Sequence, residues 1–173
     1  MNQTIKDLEE RRSIRKYKSE QIKDDELNQI LEAGEYAPSG MGRQPTKMVV
    51  VQDKATIEKL SKINASIMGV NTDPFYGAPT VVIVLADKRV ATYVEDGSLV
   101  MGNLLNAAHS LNIGSCWIHR ARETFETEEG KELLKEWGID ENYVGIGNCI
   151  LGYVDGEYPT AKDRKPDFIK YVK

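Results

Sequence analysis

Four short apolar segments constrain the fold of this chain more than any other feature of its sequence. They are residues 48–51, 80–85, 113–118 and 148–153. Short runs rich in β-branched residues, bounded by loops, are typical of buried strands. The segment 80–85, TVVIVL, is apolar on both faces and is therefore expected at the centre of a sheet.

Apolar residues at helical spacing occupy most of the chain between these strands. Three helices are predicted in the first half, and the expected N-terminal caps are Thr4, Asp24 or Asp25, and Asp53. Residues 90–111 predict a long helix that is apolar nearly all round, typical of a core helix or a subunit interface. Residues 127–137 predict an amphipathic helix closed by Gly138. The resulting order, α, α, β, α, β, α, β, α, β, places helices on both faces of one sheet.

The length of 173 residues fits a single domain spanning residues 1–173. Its last part, residues 154–173, predicts an irregular tail that still carries Tyr158, Phe168, Ile169 and Tyr171. A tail this apolar is seldom free in solution, so we expect it to dock on a partner subunit.

Several classes of protein lack support in the sequence. There is no apolar run near the length of a bilayer span and no signal-peptide pattern, so we expect a cytoplasmic protein without membrane contact. The net charge of -4 and the lack of a long basic stripe argue against nucleic-acid binding. Cys116 and Cys149 have no CxxC spacing and neither histidine has HExxH spacing, so two buried thiols and no metal site are expected. Motifs for serine hydrolysis, NTP binding by a P-loop and Rossmann dinucleotide binding are absent.

Two basic clusters stand out in this acidic chain, at residues 11–15 (RRSIR) and 162–166 (KDRKP). The simplest interpretation of each is solvated surface charge. Cations gathered at opposite ends of the chain also suit a single bound anion, and the planar guanidinium of arginine suits phosphate in particular.

Four segments occur in the order and spacing of a known family. They are RRSIRKY at residues 11–17, APSGMGRQP at residues 37–45, IGSCWI at residues 113–118 and KDRKP at residues 162–166. Together they resemble the nitroreductase family of FMN-dependent oxidoreductases along nearly the whole chain. The resemblance implies an α+β fold with a central, mostly antiparallel sheet flanked by helices. It also implies a homodimer with one FMN in each of two clefts at the subunit interface.

The resemblance places both basic clusters at one phosphate. Arg11 and Arg12 would bind the FMN phosphate, and Ser13 would lie beside it along the ribityl chain. Lys162 and Arg164 match the family's late basic pair at the same phosphate. Arg15 would lie nearer the pyrimidine edge of the flavin, where its charge would stabilise the reduced form.

The loop and the third strand complete the site that the resemblance implies. In the family the loop carrying Pro38, Ser39 and Gln44 comes from the partner subunit and packs beside the flavin. Family members commonly have asparagine where this chain has Gly42, and an aromatic residue where it has Thr46. From the residues alone, Ser39 and Gln44 are ordinary loop residues.

The segment Trp117, Ile118, His119 and Arg120 matches the stretch whose backbone lies against the flavin ring in this family. A backbone N–H there can stabilise charge at flavin N5. Cys116 is interpreted as a packed thiol. His119 is a candidate proton donor to substrate, although a lone histidine is more often a surface or packing residue.

The expected function is hydride transfer from NADH or NADPH through FMN to a small electron acceptor, such as a nitroaromatic compound or a quinone, by a ping-pong cycle. One alternative is a carrier or sensor that binds FMN without nicotinamide turnover. Another is a relative that fragments the flavin or removes halide from aromatic substrates.

Overall fold

A computed structural model describes all 173 residues. Its centre is a four-stranded sheet in the order β1-β2-β4-β3, in which every neighbouring pair is antiparallel. The strands are β1 (Thr46–Val51), β2 (Thr80–Asp87), β3 (Gly114–Ile118) and β4 (Tyr143–Gly152). The α+β class with an antiparallel sheet is therefore confirmed, and β2 lies inside the sheet as predicted.

The prediction for β4 was wrong at its beginning, since the strand starts at Tyr143 and not at residue 148. Glycines hid this part of the strand. A Cβ on Gly145 would lie 2.3 Å from the Ala121 carbonyl, and a Cβ on Gly147 would lie 2.6 Å from the Trp117 indole. Neighbouring elements therefore lie so close to both faces of β4 that glycine is required here. The apolar side chains by which a strand is recognised in a sequence are absent from these positions.

Six helices surround the sheet: α1 (Gln3–Glu10), α2 (Asp24–Glu35), α3 (Lys54–Met68), α4 (Tyr93–Ser110), α5 (Ala121–Glu126) and α6 (Glu128–Glu136). The cap at Asp53 is confirmed, because its carboxylate accepts from the Thr56 N–H at 2.8 Å. The cap at Thr4 was wrong: the Asn2 side chain accepts from the Thr4 N–H instead. The short α5 was not predicted, since six residues are too few for a clear helical period.

Neither predicted cap of α2 occupies the capping position. Lys23 lies there, and the Glu26 carboxylate accepts from the Lys23 N–H at 3.1 Å. Asp24 and Asp25 lie in the first turn, where negative charge stabilises the positive end of the helix dipole.

Apolar side chains cover both faces of the sheet, as predicted. On one face, Ile83 and Cys116 of the sheet belong to a buried cluster with Leu60 of α3, Phe125 of α5 and Leu133 of α6. On the other face, Val82 and Cys149 of the sheet belong to a second cluster with Ile30 of α2 and Met101 of α4. Cys116 and Cys149 are both buried free thiols, as predicted.

Two segments have no core of their own. No residue of α1 is buried, and residues 157–173 are exposed throughout, with Phe168 79% and Val172 92% exposed. None of the helices is both long and apolar enough to span a bilayer.

Candidate functional site

The first basic cluster lies along the outer edge of β3. Ser13 bridges Ser115 in parallel, and the Ile14 N–H donates to the Ser115 carbonyl at 2.9 Å. Ile14 and Tyr17 are buried and anchor the segment, while the side chains of Arg11, Arg12 and Ser13 are half-buried and Arg15 is exposed. Apolar anchors therefore fix a segment whose polar side chains remain accessible.

Arg12 is the most constrained side chain of this cluster. Its Nη1 donates to the Glu9 and Arg11 carbonyls, each at 2.7 Å, where α1 ends. Its Nε is buried without a partner. Arg12 thus holds the end of α1 and keeps one buried N–H that no group of the chain satisfies.

The tail begins against this same segment. The Tyr158 hydroxyl accepts from the Arg12 N–H at 3.0 Å and lies 2.9 Å from His109 Nδ1. A cleft of about 500 Å³ lies here, lined among others by Glu10, Asn112 and Thr160. Lys162 follows Tyr158 by four residues, a reach of at most about 14 Å for extended chain. The structure thus brings the start of the tail to the first basic cluster, with Lys162 and Arg164 exposed just beyond.

The cations of both clusters lack counter-charges within the chain. The five ion pairs with N···O distances up to 4.0 Å involve none of Arg11, Arg12, Arg15, Lys162 and Arg164. Arg15 instead lies 5.9 Å from the centroid of the Tyr76 ring. Unpaired cations and the orphaned Arg12 Nε fit a bound phosphate.

The predicted loop forms a short 3₁₀ turn, Gly40–Gly42, held on the first turns of α4. The Gly40 N–H donates to Asp96 Oδ1 at 2.8 Å, and the Thr92 hydroxyl donates to Asp96 Oδ2 at 2.8 Å. Asp96 is only 3% exposed. Its buried carboxylate therefore fixes the base of the loop.

Two of the three predicted contact residues on either side of this turn are exposed. Pro38 and Gln44 are exposed, while Ser39 is half-buried and its Oγ accepts from the Gln44 N–H at 3.0 Å. Asp96 and His109 are thirteen residues apart on α4, or about 20 Å along its axis. The loop and the first basic cluster of one chain therefore lie near opposite ends of α4.

The segment predicted to line the flavin ends β3 and turns into α5. Ile118 is buried, and the half-buried Trp117 indole packs near Gly147 and Met101 on the α4 face of the sheet. The His119 side chain is exposed. Arg120 has a φ of 71°, a left-handed conformation at the N-terminus of α5.

Buried amides support this turn from within the protein. Asn64 Nδ2 donates to the His119 carbonyl at 2.8 Å, and Asn148 Nδ2 donates to the Ile118 carbonyl at 3.4 Å. Nothing in the local sequence indicated these contacts, nor the bond between Gly40 and Asp96 or the bond between Arg12 and Tyr158. Each joins residues at least thirty positions apart, so no spacing along the chain could reveal them.

Both cysteines of the chain are buried near the site. Burial raises the pKa of the Cys149 thiol, which keeps it protonated at neutral pH. Burial likewise raises the pKa of the Tyr17 hydroxyl, which donates to the Ile14 carbonyl at 2.6 Å. Both groups are therefore protonated at neutral pH and pack in the core.

Comparisons with known proteins agree on one family. The model of the nitroreductase family matches residues 8–75 and 65–153. A protein of Archaeoglobus fulgidus, provisionally named an NADH dehydrogenase/NAD(P)H nitroreductase, is 35% identical over 100% of this chain and 99% of its own length. An FMN reductase [NAD(P)H] of Bacillus subtilis is 31% identical over 96% of this chain and 71% of its own.

A solved structure extends the similarity to three dimensions. The crystal structure of a nitroreductase with bound FMN from Bacteroides fragilis superposes with a TM-score of 0.92 at 32% identity, covering 100% of both chains. By the extent of the family match and the identity to these relatives, this chain belongs to the nitroreductase family.

Proposed function

We propose that this chain is an FMN-dependent NAD(P)H oxidoreductase that acts as a homodimer. The observation that carries the proposal is the contact between Tyr158 and the Arg12 N–H, which brings the tail to a cluster of cations without counter-charges. The relatives described above, an FMN reductase and an FMN-bound nitroreductase, support the same cofactor.

The two clusters would hold the FMN phosphate together. Arg11, Lys162 and Arg164 supply positive charge, and the Ser13 hydroxyl supplies a further donor. The buried Arg12 Nε has an N–H available for the same anion. Charge-assisted hydrogen bonds of this kind are about twice as strong as neutral ones.

Bound FMN would supply the redox chemistry: hydride from NADH or NADPH would enter at N5, and a small acceptor such as a nitroaromatic compound or a quinone would take the electrons in a ping-pong cycle. Arg15 contributes positive charge near the pyrimidine edge. The backbone N–H groups of His119 and Arg120 would supply donors near N5. The exposed His119 side chain can reach a substrate from solvent and is our candidate proton donor.

A second copy of the chain would complete each site. The apolar residues of α1, Ile5 and Leu8, are about half exposed, and an eight-residue helix is not stable without packing. Phe168 and Tyr171 of the tail are likewise exposed. We propose that residues 1–173 form one domain whose tail, residues 154–173, docks on the partner. The partner's Pro38, Ser39 and Gln44 would then lie beside the flavin.

The purified protein tests the cofactor directly. We expect a yellow protein that releases FMN on denaturation. Arg11→Ala and Lys162→Ala should each weaken FMN binding at least tenfold, the effect of losing one charge-assisted bond. Lys59→Ala, which removes an exposed lysine from α3, should leave FMN binding unchanged. A colourless protein that FMN cannot reconstitute would contradict the proposal.

Rapid mixing with NADH or NADPH then tests the reaction. The flavin absorbance should bleach within the time of turnover and return when an acceptor is added. Flavin that stays oxidised with both nucleotides would indicate a carrier or sensor instead. Products analysed after aerobic reduction would reveal flavin fragmentation or dehalogenation.

A further inference from the structure

The turn between β3 and α5 is held from behind by two fully buried amides. Asn64 on α3 is 0% exposed and donates to the His119 carbonyl at 2.8 Å. Asn148 on β4 is 1% exposed and donates to the Ile118 carbonyl at 3.4 Å. Two successive carbonyls of the turn are therefore directed toward the interior.

The direction of a carbonyl determines the direction of the next N–H. All peptide bonds of the chain are trans, so each N–H points opposite to the carbonyl of the residue before it. Fixing the Ile118 carbonyl directs the His119 N–H outward, and fixing the His119 carbonyl does the same for the Arg120 N–H. Outside the helices and strands, neither of these two N–H groups donates a hydrogen bond. The turn thus presents two consecutive free donors.

Asn64 is energetically unfavourable as a residue that only fills space in the core. Its Oδ1 is buried and has no hydrogen-bond partner. Desolvation of this oxygen is therefore unfavourable, and no hydrogen bond to Oδ1 offsets it. An apolar side chain of similar volume would avoid that cost. The bond to His119 is the one interaction that only the amide supplies.

We propose that Asn64 is a positioning residue of the flavin site, which acts by turning the Arg120 N–H toward the cofactor. It also helps to hold Arg120 in its left-handed conformation, with φ of 71°. This inference rests on the proposed function, because the free donors are assigned to FMN.

The test compares Asn64→Leu with a matched variant, Asn103→Leu. Asn103 Nδ2 donates to the Ala33 carbonyl at 2.7 Å, so this control also loses a side-chain amide bond to a backbone carbonyl, but between α4 and α2. For both variants and the wild type we would measure the FMN dissociation constant, the midpoint potential of bound FMN and the hydrogen exchange of the Arg120 amide in the apoprotein.

Asn64→Leu should weaken FMN binding about tenfold, as for one lost hydrogen bond. It should also shift the midpoint potential and make the Arg120 amide exchange faster. Asn103→Leu should leave all three unchanged. If Asn64→Leu does not fold, Asn64→Ala replaces it, since alanine removes the amide without adding bulk.

Asn64→Leu with wild-type affinity and potential would overturn the inference, and so would an equal loss in Asn103→Leu. Wild-type protein that binds no FMN would instead overturn the proposed function. Binding of FMN by the wild type separates the two failures.

Discussion

Asp96→Ala should release the Pro38–Gln44 loop and destabilise the protein by about 3 kcal/mol. Each hydrogen bond to a charged group contributes about 1.5–3 kcal/mol, and the Asp96 carboxylate accepts two, from the Gly40 N–H and the Thr92 hydroxyl. Alanine leaves both donors without their protein partner at a part-buried site, where the Thr92 side chain remains open to water. The lower end of the summed range applies, because removing a buried charge recovers part of its desolvation cost.

Asp96→Asn should cost only about 1 kcal/mol, since one strong bond becomes a neutral one. The amide oxygen can accept from the Gly40 N–H, while its NH₂ donates to the Thr92 hydroxyl oxygen. Gly40→Ala perturbs the same loop by a steric clash, because the added Cβ would lie 2.5 Å from Thr92 Oγ1. It should displace the loop while Asp96 remains intact.

Urea unfolding at one fixed protein concentration measures the free energy, because dimerisation would otherwise shift it. Fluorescence titration measures FMN affinity. We expect Asp96→Ala and Gly40→Ala to weaken FMN binding about tenfold, the loss of one loop contact, and Asp96→Asn to retain it. A free energy of unfolding of Asp96→Ala within about 0.5 kcal/mol of the wild-type value, the scatter of ordinary surface changes, would refute this role of Asp96. So would equal losses in Asp96→Asn and Asp96→Ala.

Three further changes test other parts of the structure. Gly145→Ala should cost about 3 kcal/mol by pushing α5 off β4, whereas Gly102→Ala, with no atom within 4 Å of the added Cβ, should be neutral or stabilising in urea unfolding. The hydrogen bond from Tyr153 lowers the pKa of Glu26 below its usual 4.5, so its stabilisation is present above that pH and is lost as pH falls through the lowered pKa. The melting temperature of Glu26→Gln should therefore fall less in acid than that of the wild type. Parallel curves of melting temperature against pH for the two proteins would contradict this. Arg15→Ala should lower the midpoint potential or the occupancy of FMN; full occupancy at an unchanged potential would refute its assignment.

The apolar strands were predictable because each consists of a short run of β-branched residues that is typical of a buried strand. β2 shows this most clearly, since all its residues from Thr80 to Ala86 are buried. The beginning of β4 was not predictable, because Gly145 and Gly147 are required by the approach of other elements. Where glycines take the place of larger residues in a strand, the sequence shows no alternation of apolar and polar residues.

The candidate site divides in the same way. Short motifs with family resemblance located the basic clusters, the loop and the end of β3. The groups that hold them, Asp96, Asn64 and Tyr158, act over 56, 55 and 146 residues of sequence. Only the folded chain brings such partners together, so sequence patterns identified the residues proposed to bind FMN and missed those that hold them in place.

Cys116 and Cys149 lie on neighbouring strands but point into opposite faces of the sheet. A disulfide needs Cβ atoms about 4 Å apart and directed toward each other, so the sheet itself keeps the two sulfurs apart. Burial also hides them from small oxidants. A protein proposed to handle electrons at every turnover would thus form no disulfide between its own two cysteines.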